Sequence, residues 1–416
     1  MQPRSGPDLR KTAAVLFCLG VVSIYLTGVV QTFISERAAD SYQIAGLEKA
    51  ARLAPANAEF AHMLGLQLAE SLSTREQAIA ELRTAAELDP LIGQYWLDLA
   101  SAYQVSGDTS RQDQALRAAL AAEPNNPDIA SEVGQYYLVA GETRRALPLF
   151  RRAMEIDPSA AADLIPVCWR ATRDAQLLLN EGLPANPEVH LAFLRLLTQQ
   201  SESAAAGQVW RSLLAAGRPF PPQEGFFYFD YLIAQHDAVG LRQQWREFAS
   251  LFPELQSYEP TDNLVVNAGF EQPLLNAGLG WRYSASQNLT AGIDQGVAHS
   301  GTRSLSVFYN GDSAYDAGWQ QFIPVEPGTA YDFSAWVKSE NIQSSSGPRL
   351  AIVDAYNGSG LLLTDDVLDT QPWHEVVGTF HSPPDAQLVE IKITRAPADT
   401  RIRGRVWIDD LRLTRK

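Results

Sequence analysis

The stretch Pro327-Gly-Thr-Ala-Tyr-Asp-Phe-Ser-Ala-Trp-Val-Lys338 decides the fold of the last third of the chain. Apolar and polar residues alternate from Tyr331 onward, and successive side chains of a strand point to opposite faces of a sheet. The alternation predicts a half-buried strand, with Trp336 on the face opposite the core. The stretches Leu388–Thr394 and Arg405–Leu411 alternate in the same way. Short alternating runs separated by Gly and Pro turns predict an all-β sandwich.

Three further segments carry a family resemblance when read together with the first. They are Asn263-Leu-Val-Val-Asn-Ala-Gly-Phe-Glu271, Ser300-Gly-Thr-Arg-Ser-Leu305 and Val406-Trp-Ile-Asp-Asp-Leu-Arg-Leu413. In this order the segments resemble the β-sandwich carbohydrate-binding modules, of galactose-binding-like jelly-roll fold, that are often appended to polysaccharide-degrading enzymes. The resemblance implies a sandwich over residues 263–416 and a polysaccharide ligand.

Sugar recognition requires aromatic rings that stack on pyranose C–H faces and planar polar groups that read hydroxyls. The aromatic candidates are Trp281, Tyr283, Tyr315, Trp319, Trp336 and Trp373, and the polar candidates are Gln320, Asp354 and Arg395. Trp336 leads because it lies opposite the predicted core face. If Trp336 were core, Trp281 or Trp319 would take its place. Many modules of this fold have lost sugar binding and serve as spacers or protein contacts, because fold does not fix function.

The resemblance also implies a structural calcium ion between the first and last strands. Its ligands here would be Glu271 and either Asp409 or Asp410, with backbone carbonyls near Ser300 and Arg303. Ca²⁺ takes 6–8 oxygen ligands, so this donor set is chemically consistent. Strand alternation allows only one of the two aspartates to point at the ion, and Asp409 is preferred. The alternative is that Glu271 caps a turn and both aspartates are solvated.

Proline positions reveal a repeat in the middle of the chain. Pro55, Pro90, Pro124 and Pro158 are separated by 35, 34 and 34 residues, and a period of 34 is that of the tetratricopeptide repeat, a helix–turn–helix unit. Interior positions agree, with small residues where helices must approach closely; they include Gly65, Ala100, Gly134, Ala146 and Ala153. The pattern predicts an α-solenoid over residues 41–256, clear over 55–158 and degenerate over 159–256.

Tetratricopeptide solenoids hold protein partners on their inner helices. The corresponding residues here are Gln94, Leu97, Ser101 and Gln104 in one repeat, and Asp128, Ser131, Gln135 and Leu138 in the next. Their mixed, weakly charged character argues against a phosphate or a strongly basic ligand. The sequence therefore predicts a protein-binding groove.

The N-terminus indicates a membrane anchor. Residues 12–34 are uncharged, and at 1.5 Å per residue such a helix crosses a bilayer core of about 30 Å. Arg4, Arg10 and Lys11 precede it, so the positive-inside rule predicts a short cytoplasmic tail, residues 1–11, a single span of the cytoplasmic (inner) membrane, and a body in the periplasm or extracellular space. A cleaved signal peptide is the competing interpretation, although no small-x-small cleavage site follows.

Composition and motifs argue against several classes of function. The net charge of −15 argues against nucleic-acid binding, which needs clustered Lys and Arg. Cys18 and Cys168 predict neither a disulfide framework nor a metal site. No HExxH, Gly-x-Ser-x-Gly or Walker motif occurs. We therefore expect a membrane-tethered scaffold for polysaccharide rather than an enzyme. A protein–protein adaptor without sugar affinity is the first alternative, and a glycosidase-like enzyme using carboxylates such as Asp365, Asp366 or Glu375 is the second.

Overall fold

The computed structural model of the protein describes residues 9–40 and 42–416, so residues 1–8 of the predicted tail lie outside the described residues. Backbone packing divides the chain into two compact units. The first runs to Leu196 and includes Ser203–Ala216; the second comprises Leu197–Glu202 and Gly217–Lys416.

The first part of the chain is helical. Its helices are α1 (Leu9–Ala39), α2 (Ile44–Leu53), α3 (Ala58–Ala69), α4 (Arg75–Leu88), α5 (Gly93–Ser106), α6 (Thr109–Ala122), α7 (Pro127–Val139), α8 (Thr143–Ile156), α9 (Ala161–Thr172), α10 (Ala175–Leu177, continuing as a π-helical turn over Leu178–Gly182), α11 (Pro187–Gln199), α12 (Ser203–Ala215), α13 (Phe226–Ala234) and α14 (Ala238–Leu251).

Successive helices of the first unit pack as pairs with the predicted spacing. The first helices of three pairs, α3, α5 and α7, begin at residues 58, 93 and 127, which lie 35 and 34 residues apart. Small residues bring the paired helices together as predicted. A Cβ on Gly65 would lie 2.7 Å from Leu82 Cγ, and a Cβ on Gly134 would lie 2.7 Å from Phe150 Cε1. Glycine is therefore required at both helix crossings.

A polar network joins the pair α5–α6 to the pair α7–α8. Tyr137 Oη on α7 donates a hydrogen bond to Asp113 Oδ1 on α6 at 2.9 Å, and Arg145 on α8 donates to both side chains. The Arg145 guanidinium also lies 3.8 Å from the centre of the Tyr137 ring. Desolvation opposes ionisation of Asp113, but hydrogen bonds from Arg117, Arg145 and Tyr137 outweigh it and lower the pKa of Asp113 to about 2.

Helix α1 contains an apolar run that fits the predicted anchor. Among the described residues, the run Ala13–Ala39 is the one stretch of helix long and apolar enough to cross a membrane, and a signal sequence would have the same properties. Its apolar core is exposed, whereas Ser35 and Ala39 at its C-terminal end are buried. Ala39 packs in a cluster with Leu47 on α2 and Phe60 on α3, so the apolar run leads directly into the helical pairs.

The last part of the chain is a sandwich of two antiparallel sheets. The strands are β1 (Arg282–Tyr283), β2 (Leu289–Asp294), β3 (Ser304–Ser313), β4 (Asp316–Pro324), β5 (Ala330–Gln343), β6 (Arg349–Asp354), β7 (Gly360–Leu363), β8 (Asp369–His381), β9 (Leu388–Thr394) and β10 (Arg401–Arg415). The first sheet has the order β1-β4-β9-β6-β7, and the second has the order β2-β3-β10-β5-β8.

The core lies between the two sheets and follows the predicted alternation. Tyr331, Phe333, Ala335 and Val337 are buried on β5, while Trp336 lies on the opposite face. The segment that precedes β1 is pinned to the last strand by Asn263, whose amide group bonds to the backbone of Leu411 and Leu413. The two ends of the sandwich are therefore joined by hydrogen bonds.

Helices α13 and α14 belong to the same compact unit as the sandwich. Asp230 on α13 pairs with Arg282 on β1 at 2.5 Å, and the His236 ring stacks on Tyr356 with centroids 4.1 Å apart. Near the end of the predicted helical span 41–256, α13 thus contacts the first sheet at β1, and the turn between α13 and α14 contacts the segment that follows β6.

Candidate functional site

An aromatic cluster stands on the outer face of the second sheet. Trp336 is half-buried on β5, between Asp409 of β10 and Glu375 of β8 in the strand register. The His299 ring lies flat on the Trp336 indole, with centroids 3.8 Å apart and planes inclined by 11°. Trp373 meets the His299 ring edge-on at 5.7 Å. The three rings form one partly exposed surface, which we call the aromatic cluster (His299, Trp336 and Trp373).

The loop that carries His299 is held by the last strand. His299 Nδ1 and Asp410 Oδ2 are 2.7 Å apart, and Ser300 Oγ donates to Asp410 Oδ1 at 2.8 Å. Asp409 Oδ2 accepts the backbone N–H groups of His299 and Ser300 at 2.7 and 3.2 Å. Because both aspartates fix the loop, the orientation of His299 against Trp336 is set by β10.

Cations and rings continue along the same face from the aromatic cluster. Lys338, two residues beyond Trp336, places Nζ 5.3 Å from the centre of the Trp407 ring. The Arg405 guanidinium lies 5.6 Å from that ring and 5.4 Å from Phe308. Trp407 itself is buried, and its Nε1 donates to Asp294 Oδ2 at 2.8 Å. This face therefore combines stacking surfaces with hydrogen-bond donors.

Burial removes two predicted sugar contacts from the candidate site. Trp281 and Trp319 are each 2% exposed and pack around Phe270 in the sandwich core. Trp281 Nε1 donates to the Asn267 carbonyl at 3.1 Å. A ring without exposed surface offers no face to a sugar, so the expectation for these two residues is corrected to a core-packing role.

Two other predicted residues lie on the first sheet, away from Trp336. Tyr283 is 50% exposed on β1 and stacks on Trp319 with centroids 5.5 Å apart, and Gln320 is half-buried on β4. Tyr315 is exposed in the turn between β3 and β4. The structure therefore does not bring the predicted aromatic and polar residues together into one site.

The predicted polar partners Asp354 and Arg395 have structural roles. Asp354 is buried and accepts the backbone N–H groups of Tyr356 and Asn357, which closes a turn. Arg395 is fully buried and donates to the carbonyls of Ser346, Ala314 and Thr400 and to two hydroxyl groups. Burial lowers the pKa of Arg395. Neither side chain is available to a sugar, which corrects that expectation.

The three carboxylates predicted to bind calcium surround the turn at residues 299–303. Glu271 accepts the Thr302 and Arg303 backbone N–H groups at 2.7 and 2.8 Å and the Thr302 hydroxyl at 2.9 Å. These hydrogen bonds, those from Thr302 first, lower the pKa of Glu271. Burial raises the pKa of Asp409 despite three backbone N–H donors. Glu271 thus caps a turn, which is the alternative considered from the sequence, whereas Asp409 is buried rather than solvated.

Strand alternation does not separate the two aspartates as expected. The pairing of β10 with β5 shifts register after Asp409, and Asp410 has a φ of 46°. This bulge turns both carboxylates toward the same loop. The expectation that only one of them points at this position is therefore corrected.

The three carboxylates are engaged in hydrogen bonds within the protein in this arrangement. Glu271, Asp409 and Asp410 each accept hydrogen bonds from N–H or O–H groups of the 299–303 turn. Across residues 9–40 and 42–416, no group of three or more His, Cys, Asp or Glu side chains is placed to hold a metal ion.

The predicted groove residues lie on the inner helices α5 and α7. Gln94, Gln104, Asp128 and Gln135 are exposed, and Ser101, Ser131 and Leu138 are half-buried. Leu97 is 1% exposed and packs in the helical core, so its predicted partner contact is corrected. The remaining seven residues are accessible to a partner.

Helices α3, α5 and α7 present charged and aromatic residues that the sequence reasoning missed. His62 Nε2 lies 2.7 Å from Asp98 Oδ2, and the His62 ring contacts the Tyr95 ring at 4.5 Å. Burial, followed by the charges of Asp98 and Asp128, raises the pKa of Glu132. The sequence could have indicated this acidic surface, because Asp98 lies four residues after Gln94 and shares its helix face. The surface is more acidic than the predicted residues alone indicate.

Comparison with known proteins connects the sandwich to one family. The family described as carbohydrate binding domain matches residues 262–400, which is the sandwich and not the helical part. A comparison with functionally characterised proteins found no match to this sequence.

Several solved structures, among them the following three, are similar to parts of the chain. The structure titled "CBM4 structure and function" is 19% identical, with a TM-score of 0.28 over 36% of this chain and 99% of that chain. The CBM22-1 and GH10 modules of the Clostridium thermocellum endo-1,4-beta-D-xylanase 10B, with xylohexaose, are 18% identical, with a TM-score of 0.28; the match covers 38% of this chain and only 29% of that chain. A crystal structure of MamA is 16% identical, with a TM-score of 0.28 over 46% of this chain and 91% of that chain.

These observations define the class of protein at a coarse level. The C-terminal part is a β-sandwich similar to carbohydrate-binding modules, and it follows a helical part with repeated helix pairs. An apolar helix near the N-terminus has the length of a membrane anchor or signal sequence.

Proposed function

We propose that this protein is a membrane-anchored scaffold outside the cytoplasm that binds a polysaccharide through its sandwich and a protein partner through its helical pairs. The observation that carries the proposal is the carbohydrate-binding-domain match over residues 262–400, on a sandwich whose outer face exposes rings and donors. Such a layout suits the assembly, export or retention of a polysaccharide.

The aromatic cluster is the proposed sugar platform. Trp336 and Trp373 are both half-buried, so each retains exposed ring surface, while His299 fixes the Trp336 indole in place. A platform held in one orientation loses little side-chain entropy when a ligand binds. Lys338 and Arg405 on the same face supply donors for sugar hydroxyls.

Binding of polysaccharides by the full-length protein in detergent tests the proposal. Affinity electrophoresis through gels that contain neutral polysaccharides, such as xylan and galactan, or an acidic one, such as polygalacturonic acid, should retard the protein. A protein that migrates unchanged in all of these gels would contradict the sugar-binding role and favour the alternative of an adaptor without sugar affinity.

The helical pairs support a tetratricopeptide-like groove for a protein partner. The 35- and 34-residue spacing of α3, α5 and α7 and the glycines at the helix crossings support the repeat assignment. The accessible residues Gln94, Gln104, Asp128 and Gln135 would contact the partner. The acidic neighbours Asp98 and Glu132 favour a partner segment with Lys or Arg.

The apolar run in α1 is the proposed single-span anchor. Arg10 and Lys11 precede it, which by the positive-inside rule puts the body in the periplasm or extracellular space. The protein should stay in membranes after carbonate washing, and external protease should digest the body. A soluble form that begins near residue 36 would show that the segment is a cleaved signal.

Catalysis is not part of the proposal. Of the carboxylates considered for a glycosidase, Asp366 accepts the Gly347 backbone N–H and pairs with Arg349, which gives it a structural role. Glu375 is exposed on β8. Release of reducing sugar from a polysaccharide would favour the enzymatic alternative.

Structural calcium remains a prediction supported by the sequence resemblance alone. Glu271 with Asp409 or Asp410 would provide the carboxylate oxygens after rearrangement of the 299–303 turn. The ion would join the ends of the sandwich, where Asn263 already bonds to the last strand.

A further inference from the structure

The last strand carries three arginines along one face, of which only Arg405 also serves the proposed sugar platform. β10 begins Arg401-Ile-Arg-Gly-Arg405; Ile402 is buried, Arg401 and Arg403 are exposed, and Arg405 is half-buried. In the pairing with β3, Arg405 lies opposite Phe308, Arg403 opposite Asn310 and Arg401 opposite Ser313. We call Arg401, Arg403 and Arg405 the arginine row. It occupies the same outer face as Trp336 and Lys338.

None of the three guanidinium groups has a carboxylate within 4 Å in the described part of the chain, although the charge of Arg405 acts on Asp294. Elsewhere the arginines Arg145, Arg282 and Arg415 have carboxylate partners within 4 Å, but no ion pair involves the arginine row. Arg405 instead lies against the Phe308 and Trp407 rings. The chain has a net charge of −15, and these three cations lie on one face of a single strand. Charge complementarity therefore points to an anionic ligand.

A depression beside the row has the size of a small-ligand site. Its volume is about 480 Å³, and it is lined by Phe308, Glu340, Asn341, Gln343, Arg403, Gly404 and Arg405. Ligand sites commonly fall between about 300 and 1,000 Å³. The Phe308 ring is 40% exposed, and the amides of Asn341 and Gln343 add donors and acceptors. A flat ring with amides and guanidinium groups suits a sugar ring that carries a charge.

We infer that the arginine row and this depression bind a carboxylate-bearing polysaccharide, such as one built of uronic acids. The guanidinium group donates two parallel hydrogen bonds to a carboxylate, a geometry that a neutral hydroxyl cannot match. Glu340, the one carboxylate in the lining, can accept hydrogen bonds from sugar hydroxyls but repels additional anionic groups. The inference rests on the proposed sugar-binding function and specifies the class of glycan.

The lining favours an acidic glycan over a nucleic acid. A phosphate backbone carries one charge per nucleotide and is held by many cations, whereas this face offers three arginines and Lys338 beside Glu340 and Asp294. Nucleic acid is therefore the competing ligand, and the experiment must distinguish its binding from that of the acidic glycan.

The experiment compares polygalacturonic acid with its fully methyl-esterified form, which keeps the backbone and removes the charge. Binding of the full-length protein is measured by affinity electrophoresis and by competition with an oligonucleotide of thymidines. We expect the esterified polymer to bind roughly tenfold more weakly, since a charge-assisted bidentate pair contributes on the order of 1.4 kcal/mol or more. Binding of the acid form should weaken as salt is raised.

The variant Arg401→Gln/Arg403→Gln/Arg405→Gln should lose at least roughly tenfold in affinity for the acid polymer, which corresponds to about 1.4 kcal/mol. The matched control is Arg218→Gln/Arg242→Gln/Arg246→Gln, which removes the same charge from exposed residues in the same compact unit and should change affinity by less than about twofold. Arg403→Gln alone, at an exposed position, provides a second variant if the triple variant melts early.

Three outcomes would overturn the inference. Equal affinity for the acid and esterified polymers excludes charge recognition but leaves the proposed sugar-binding function intact. Equal losses in the row variant and the control variant would mean a nonspecific charge effect. Binding of the oligonucleotide without binding of the acid polymer would assign the row to nucleic acid. Failure to bind any polysaccharide would instead contradict the proposed function itself.

Discussion

His299 and Trp336 stack with ring centroids 3.8 Å apart and planes inclined by 11°. The contact joins two segments that are far apart in sequence, the loop before β3 and the strand β5. Asp410 fixes His299 through the 2.7 Å contact with Nδ1, so the last strand determines how much of the indole is covered. One face of Trp336 is therefore occupied within the protein, and a sugar must contact the remaining surface of the cluster.

Replacing Trp336 with Ala should weaken polysaccharide binding without unfolding the protein. The half-buried indole offers apolar surface, and its loss should cost about 1–3 kcal/mol of binding free energy. Affinity electrophoresis of the full-length protein measures the change. The matched control is Val377→Ala, an exposed apolar residue on the same sheet, which should bind unchanged. If Trp336→Ala melts early or binds normally, the cluster is not the platform.

Replacing Trp281 with Ala should destabilise the sandwich strongly. The ring is 2% exposed, contacts Phe270 and donates to the Asn267 carbonyl, and truncation of a buried aromatic residue costs about 3–5 kcal/mol. Tyr315→Ala, at an exposed position, should change the free energy of unfolding by less than about 0.5 kcal/mol. Thermal and urea melts compare the two variants; similar small effects would show that Trp281 is not a core residue.

Alternation predicted the sandwich well because the period of a strand is two, and burial of Tyr331, Phe333, Ala335 and Val337 follows it. The positions of Trp281 and Trp319 were less predictable. Trp281 precedes a two-residue strand, so no long alternating run indicates which way it points. The bulge at Asp410 likewise breaks the period, and only three-dimensional pairing reveals it. The spacing of the helix pairs could be predicted from the sequence, because each repeat packs against the repeats that adjoin it in the chain.

Removal of the Asp113 carboxylate should destabilise the first unit in a pH-dependent way. Hydrogen bonds from Arg117, Arg145 and Tyr137 lower its pKa to about 2, against desolvation. A lowered folded-state pKa gives stability that is present above the unfolded value, near 3.9, and is lost as pH falls through about 2. Asp113→Asn should therefore lower the free energy of unfolding by about 1–2 kcal/mol at pH 7. The difference from the unsubstituted protein should shrink toward pH 2.

Urea unfolding monitored between pH 7 and pH 2 measures this effect. Asp128→Asn is a suitable control, because Asp128 is exposed and does not belong to the hydrogen-bond network around Asp113. The free energies of unfolding of Asp113→Asn and the unsubstituted protein are compared at each pH. If their difference stays constant with pH, the Asp113 charge does not provide the stabilisation.

Calcium should raise the melting temperature of the protein if the ion implied by the sequence resemblance binds. A ligand present at 100 times its Kd stabilises the folded state by about 2.7 kcal/mol. The matched variant is Glu271→Gln, whose amide oxygen can still accept the Thr302 and Arg303 N–H groups but lacks the charge. We expect chelator to lower the melting temperature of the unsubstituted protein only. A melting curve indifferent to calcium and chelator would mean that the hydrogen-bonded turn needs no ion.

The helical groove should bind its partner through the exposed residues of α5 and α7. Gln104 and Gln135 lie on the same two helices as Asp98 and Glu132, whose charges favour a basic partner segment. Gln104→Lys/Gln135→Lys should therefore weaken the partner at least roughly fivefold, or about 1 kcal/mol, through repulsion and lost contacts. Gln114→Lys, exposed on the outer helix α6, is the matched control and should bind the partner normally. Quantitative pull-down with melting curves for each variant separates binding from folding. Unchanged partner binding by the double variant, with a normal melting temperature, would place the partner site elsewhere.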